Sequence, residues 1–458
     1  MPRRVLLALL LLGLPVTVWT DNASDPTWLA ELRPDVERLL QAARADDFAW
    51  RRLAELTDTF GHRLSGSDSL NRAAAWAIAT MKADGLENVR AEPVMVPRWV
   101  RGHESAEITA PPHSAIPILG LGGTVATPPG GIEAEVLAVA SFDELRARQA
   151  EARGRIVLFN APFTNYSETV TYRTDGARTA AQYGAVAVLV RSVGPPGLQT
   201  PHTGSVIYGL DQRIPAAAVT AEDSSRIVRL IRNGQKVRIR LVTSGETHPA
   251  VELVNVIAEI RGREHPEEIV LIGGHLDSWD VGTGASDNAV GCIVTWEAVR
   301  LMKALGLRPR RTVRVVLWTN EEHGLRGAQA YAERYATQAS KHVFALEADS
   351  GVFAPAALGF SGSEAAREVM LRIGSLLRPL GLHEIGRGGG GGPDINPIAQ
   401  AAGAPTMAYL GDPGRLFVIH HTAADTVDRI APEEVSKAAA AIAAVTYAVA
   451  EMPQRLPK

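Results

Sequence analysis

The stretch from Leu271 to Glu322 constrains this chain most, because it reads as two strands with a helix between them, both strands ending in potential metal-binding side chains. Ile269-Val270-Leu271-Ile272 is a short apolar run closed by Gly273-Gly274, and His275-Leu276-Asp277 follows. Residues 278–286 are rich in Gly, Ser and Asp and read as loop, so His275 leaves a strand end. Asp287 follows that loop and opens a helical pattern with Val290, Ile293, Val294, Ala298 and Met302 on one face. The β-branched run Thr312 to Trp318 stops at Asn320-Glu321-Glu322. A neutral imidazole and several carboxylates gathered from separate strand ends form the donor set that a divalent ion of zinc type requires.

Composition narrows the alternatives. A chain of 458 residues that is 46% hydrophobic can bury a large core in two or three domains. Its net charge of −3 offers no basic excess, so nucleic acid is not an expected partner. Cys292 is the only cysteine, which excludes an intramolecular disulfide and a thiolate metal site; any metal sits on His, Asp and Glu. Residues 1–20 carry Arg3-Arg4 and then an apolar run from Val5 to Leu14, the pattern of a secretory signal, with a mature start near Asp21 to Asp25. A secreted or periplasmic location follows; without cleavage the same segment would be a membrane anchor. No other stretch reads as transmembrane.

From Trp28 to Lys82 the pattern is helical, with Leu29, Leu32, Val36, Leu39 and Leu40 on one face, a turn at residues 61–67 and a second amphipathic helix from Leu70 to Met81. Val89 to Val100 alternates like a strand, and Pro93 and Pro97 suit a sheet edge. Between about Gly102 and Thr247 Pro and Gly become dense, and short strands (Ile132–Val139, Arg155–Phe159, Ala185–Val190, Ile214–Val219, Lys236–Val242) interleave with helices near Phe142–Ala152 and Ala177–Tyr183. This reads as a small α/β insert and not a catalytic unit, with His202 and Asp175 as surface residues. The division is therefore 21–101 as the first part of a catalytic domain, 102–247 as the insert and 248–458 as the rest.

The parent pattern resumes with Leu253–Ile260 and Ile269–Ile272, whose polar connection suits a hairpin. Strands Thr312–Trp318, His342–Ala348 and Pro405–Leu410 then alternate with helices from Asp287, Gly327–Tyr335, Ser363–Leu380 and Pro432–Glu451. The expected fold is α/β, a mixed and largely parallel sheet sandwiched by helices, with its site outside the carboxyl ends of the strands. His275, Glu321, Glu322 and Asp349 all fall at such ends, and Asp287 opens a helix from the same rim. Singly, Asp287 reads as a helix cap and Glu321-Glu322 as a charged loop; jointly they read as one site.

Farther along, residues 417–426 supply His420 and His421. The motifs His275-x-Asp277, Ser286-Asp287-Asn288, Glu321-Glu322-x-Gly324, Asp349-Ser350-Gly351 and His421-Thr422-x-x-Asp425-Thr426 together resemble the cocatalytic-zinc peptidases, the family of bacterial secreted leucyl aminopeptidases and glutamate carboxypeptidase, and most closely its carboxypeptidase Q-like members. The resemblance extends to Arg63-Leu64-Ser65-Gly66-Ser67 and to the insert, which resembles a protease-associated domain. It implies two zinc ions, with Mn or Co also suited to such donors. Asp287 would bridge them, His275 and Asp349 complete one, Glu322 and His421 the other. Asp277 would orient His275 and Glu321 would be the general base.

The same resemblance implies a peptide substrate, a dipeptide or short peptide with free ends, and a homodimer. His420 stands where several relatives have Tyr, and it reads equally as a substrate or oxyanion contact and as a packed histidine. His323 reads as structural or as a support for the ligands. The glycine run 388–392 satisfies a dinucleotide pattern only through its composition and follows a helix, so that match is rejected. It reads as a flexible linker; in the relatives this loop borders the substrate, which makes Asp394 and Asn396 candidate contacts. A receptor that has lost its metals and a glutaminyl-cyclase-like acyltransferase are the competing classes; the complete ligand set opposes the first and the insert opposes the second.

Overall fold

The computed structural model describes residues 26–209 and 212–458, so the expected export segment lies outside the described residues. One eight-stranded sheet runs in the order Glu87–Val100, Glu246–Ile260, Arg311–Trp318, His265–His275, His342–Glu347, Thr406–Leu410, Ala357–Ser361, Ile385–Arg387. Its middle strands, from Arg311–Trp318 to Thr406–Leu410, are parallel. Antiparallel strands flank them on both sides. Strand Glu87–Val100, with its two prolines, is an edge.

The central strands read as unbroken apolar runs because both faces are covered. Val270, Ile272, Val313 and Val315 point to one core, which includes Ile293 and Val294 of helix Val290–Ala304 and the alanines of helix Pro432–Glu451. Leu271, Val316 and Trp318 point to the other, with Tyr331 of helix Arg326–Arg334 and Ile398 of helix Asn396–Ala402. Helix Val290–Ala304 lies close against the strand ends: a Cβ on Gly291 would stand 1.8 Å from the Ala348 carbonyl oxygen.

Two expectations fail here. Strands Glu246–Ile260 and His265–His275 are not a hairpin, since Arg311–Trp318 lies between them. The connecting turn spends its N–H groups on the chain entering that middle strand: Arg263 donates to the Pro309 carbonyl, Glu264 and His265 to that of Arg310. Nor does Asp287 open or cap a helix. Its backbone (φ −132°, ψ 86°) is not helical, and the regular helix starts at Val290.

Residues 104–243 build a second eight-stranded sheet. Phe159, Val188 and Val190 pack on Ala177 and Ala180 of helix Tyr166–Gln182. Ile156, Leu158 and Leu189 pack on Ile227 of helix Ala221–Arg232. The first of these helices starts well before the expected Ala177, where the Asn165 side chain accepts from the Glu168 N–H. The second, capped by Thr220, was not expected at all. Among the described residues no helix is long and apolar enough to cross a membrane.

Candidate metal centre

Separate strand ends bring the predicted ligands together. His275 ends strand His265–His275, Glu321-Glu322 follow Arg311–Trp318, and Asp349 follows His342–Glu347. Asp287 lies in the turn before helix Val290–Ala304, and His421 follows helix Pro413–Ile419. His275 Nε2 is 3.2 Å from Asp349 Oδ1 and 3.3 Å from Asp287 Oδ1. On the other side of the same carboxylate, His421 Nε2 is 3.0 Å from Asp287 Oδ2 and 3.2 Å from Glu322 Oε2. Donors held at about 2.0–2.2 Å around a tetrahedral zinc ion stand ~3.3 Å from one another; His275, Asp287 and Asp349 gather as closely as ligands that share an ion, as do Asp287, His420 and His421, and Glu322 joins the second group through His421.

Polar satisfaction supports that fit. Glu322 Oε1 is buried without a hydrogen-bond partner, a costly state that a cation would relieve. Burial alone would discourage charge on the histidines. The carboxylates around them overcome it, Asp349 and Asp287 for His275, Glu322 and Asp287 for His421, and push both imidazole pKa values well above the ordinary range. Burial would likewise raise Asp287, yet the surrounding imidazoles hold it well below the usual carboxylate range. Glu321 goes the other way: burial, reinforced by Glu322 and Asp349, lifts it well above an ordinary glutamate despite His275. The cluster draws positive charge to its centre.

Main-chain and acidic groups set the orientation. His275 Nδ1 lies 2.9 Å from the Asp277 main-chain oxygen and 3.8 Å from the Asp277 carboxylate. The expected orienting carboxylate is thus replaced by its own carbonyl. The Asp277 carboxylate instead accepts the Glu321 and Glu322 N–H groups at 3.1 and 3.3 Å. Asp425 accepts from Ser286 N and Oγ and from Asp287 N. Arg63, fully buried, donates to the carbonyls of Gly61, Leu276, Thr283 and Gly284 and so ties the amino-terminal turn to both ends of the loop between His275 and Asp287. Both residues stood in the recognised motifs, but only contacts assign them this work.

A cavity of about 700 Å³ opens over the cluster, bordered by Glu321, Asp349, His420, Leu410, Leu416 and Phe417. The insert, though not itself a catalytic unit, supplies part of its wall through Tyr166 and Arg173. Nothing in the sequence marked Arg173, which lies ahead of the helix start expected at Ala177. The His420 ring stacks on His421 with centroids 3.6 Å apart, and its Nε2 is 3.3 Å from Asp287 Oδ2. Burial and the His421 neighbour keep it neutral, with a pKa well below the ordinary value.

Four further placements differ from expectation. His202 is 2% exposed and not a surface residue; burial beside His421 lowers its pKa to about 4. Asp175 is half-buried and partnered, accepting from Thr174 and Arg178. Asp394 and Asn396 are not among the residues lining the cavity: Asp394 is buried beside Glu347, which accepts its N–H, and Asn396 is exposed at the start of a helix. Pro393, at the end of the glycine run, does reach the cavity wall. His323 packs against Trp279 with ring centroids 4.6 Å apart, in keeping with a structural role.

Known proteins resemble this chain in sequence and fold. The profile of peptidase family M28 matches residues 255–446, and that of the PA domain residues 123–227. Human carboxypeptidase Q is 46% identical over 417 residues, covering 91% of this chain and 88% of its own length. The chain belongs to peptidase family M28. It is a metallopeptidase of the family's carboxypeptidase Q branch, as the motif resemblance implied. A peptidase M28 precursor from Shewanella amazonensis superposes with a TM-score of 0.90 at 32% identity, over 94% of this chain and 99% of its own. A zinc aminopeptidase from Bacillus subtilis, at 20% identity and a TM-score of 0.68 over 89% of this chain and 96% of its own, shares the fold.

Proposed function

We propose that this M28 peptidase is a zinc-dependent exopeptidase that holds two zinc ions and hydrolyses dipeptides or short peptides with free ends. The observation that carries this reading is the placement of Asp287 between two histidine–carboxylate groups, its Oδ1 3.3 Å from His275 Nε2 and its Oδ2 3.0 Å from His421 Nε2. His275 and Asp349 would hold one ion and Glu322 and His421 the other, with Asp287 available to both groups. Bound zinc supplies a Lewis acid for the peptide carbonyl and acidifies a water at neutral pH.

The chain's own residues do the rest. Glu321 borders the cavity without belonging to either histidine–carboxylate group. It takes the proton of the attacking water and delivers it to the leaving amine, a transfer for which a raised carboxyl pKa is suited. Asp277 fixes the main chain of Glu321 and so the reach of its carboxylate. Neutral His420 faces the same space and can donate a hydrogen bond to the developing oxyanion. Among the described residues bordering the cavity, Arg173 is the only arginine or lysine. It receives the substrate's terminal carboxylate, which supports a preference for short peptides with a free carboxyl end.

The test is hydrolysis of a dipeptide panel with chelator, then with zinc restored. Expected are free amino acids, loss of activity in chelator, and a higher KM for Arg173→Met toward dipeptides but not toward dipeptide amides. Undiminished hydrolysis by metal-free protein, or pyroglutamate formed from an N-terminal Gln peptide, would overturn the reading. Export belongs to the same proposal, supported by the basic and apolar pattern of residues 1–20. So does a homodimer, which the carboxypeptidase Q resemblance implies and sedimentation of the mature protein checks.

A further inference from the structure

The insert touches both metal-ligating segments of one half-site, through Arg173, whose Nη1 is 3.2 Å from His421 Nδ1, and through three consecutive residues of one loop. The Thr203 N–H donates to the His421 carbonyl at 3.0 Å, while the Thr203 carbonyl oxygen lies 3.2 Å from His421 Nδ1. Ser205 Oγ donates to the main-chain oxygen of Glu322 at 2.6 Å. Gly204, between them, has φ +138°, and a Cβ there would stand 2.2 Å from the Arg173 guanidinium carbon. The loop therefore reaches the site only with glycine at this position. With Nε2 turned to the carboxylates, His421 Nδ1 lies between two groups of the insert, the Thr203 carbonyl and Arg173 Nη1, each at 3.2 Å, and Arg173 Nη1 itself donates to that carbonyl.

This loop is firmly seated. Thr203 Oγ1 donates to the Gly120 carbonyl at 2.9 Å, and Val206 N donates to that of Gly122. Arg101 bonds the Gly120 carbonyl and Thr203 Oγ1 on the insert and both oxygens of Asp280 on the loop after His275. No segment of the insert occupies the corresponding place at His275, whose Nδ1 faces the Asp277 carbonyl of its own strand end.

We propose that the loop 203–205 of the insert is a positioning element for the Glu322–His421 half of the metal site, so that zinc affinity there depends on docking of the insert while affinity at the His275–Asp349 half does not. This rests on the two-zinc reading above. Partners that orient a metal-bound histidine typically change metal affinity by roughly 10–100-fold when lost. Docking of the insert and occupancy of the second ion are then linked equilibria, each strengthening the other.

The test is stepwise zinc binding to the full chain, measured by competition with a chromophoric chelator, for the parent protein, Ser205→Ala and Thr203→Val. Expected is a loss of about tenfold or more in one of the two affinities, with the other unchanged within about twofold. Hydrogen exchange of the unaltered protein gives a second readout that needs no variant: the amides of Thr203 and Val206 should slow when the second ion binds. Equal losses in both affinities, no loss in either, or exchange at 203–206 indifferent to zinc would each overturn the proposal. Failure to bind zinc at all would instead sink the reading of the site, so the two failures are distinguishable.

Discussion

The two histidines of the site are oriented by the same kind of group brought from very different places. His275 Nδ1 faces a main-chain carbonyl two residues ahead, at Asp277, whereas His421 Nδ1 faces one 218 residues away, at Thr203. The first arrangement exists as soon as the strand end forms. The second exists only when both sheets have folded and met. The orientation of one histidine is thus a local property of the chain, and that of the other is a property of the assembled molecule.

Asp287 belongs to both halves, so its loss should erase the difference between them. Asp287→Ala is expected to release both ions and to reduce dipeptide hydrolysis to the level of chelator-treated protein, checked by elemental analysis beside the activity assay. Retention of one tightly held ion would show that the halves do not share this carboxylate. Glu321→Gln should leave both halves filled. Its expected signature is a fall in kcat of roughly 10²–10⁴-fold, the range for loss of a general base, with zinc content and KM little changed.

Asp277 separates the halves more finely. Its carboxylate accepts the Glu321 and Glu322 N–H groups, but its main-chain carbonyl serves His275, and a side-chain change leaves that carbonyl in place. Asp277→Asn should therefore weaken zinc at the Glu322 half by roughly 10-fold and disturb the His275 half less. Stepwise zinc titration checks it, and a larger loss at the His275 half would reverse the assignment.

This contrast also explains how much could be seen beforehand. The sheet was legible because strands buried on both faces leave long apolar runs, and the cluster of candidate ligands was legible because its members sit where those runs stop. His275, Glu322 and Asp349 announce themselves by position along the chain. Arg173, Thr203 and Ser205 do not: a loop carbonyl and a hydroxyl carry no pattern, and the helix bearing Arg173 begins in polar residues with no apolar period to reveal it. The false hairpin has a related cause. Turn residues show that the chain reverses, but not that another strand will enter between the two arms. His202 reads as surface polarity until the meeting of the two domains buries it.

The strand that delivers Asp349 begins at His342, which answers pH apart from the metal site. His342 is buried, with Nε2 2.9 Å from the Tyr331 hydroxyl and Nδ1 3.3 Å from the Ala339 carbonyl. Arg314 donates to the same Tyr331 oxygen at 2.7 Å. The neutral ring satisfies both neighbours, donating from Nδ1 and accepting at Nε2; a second proton would face the tyrosine hydroxyl and the Arg314 charge. Burial first, and then Arg314, lowers its pKa from 6.5 to about 4. The unfolded chain therefore takes up this proton at a higher pH than the folded one, so stability is full above about 6.5 and is lost as pH falls toward 4. At about 1.4 kcal/mol per pH unit, the loss is on the order of 3 kcal/mol. His342→Gln should flatten this acid limb by that amount relative to the parent, read from denaturant unfolding of metal-free protein at several pH values. Because Gln cannot titrate, an unchanged acid limb would mean that the loss of stability in acid arises at other groups, such as His202 and His323, whose pKa values burial also lowers to about 4.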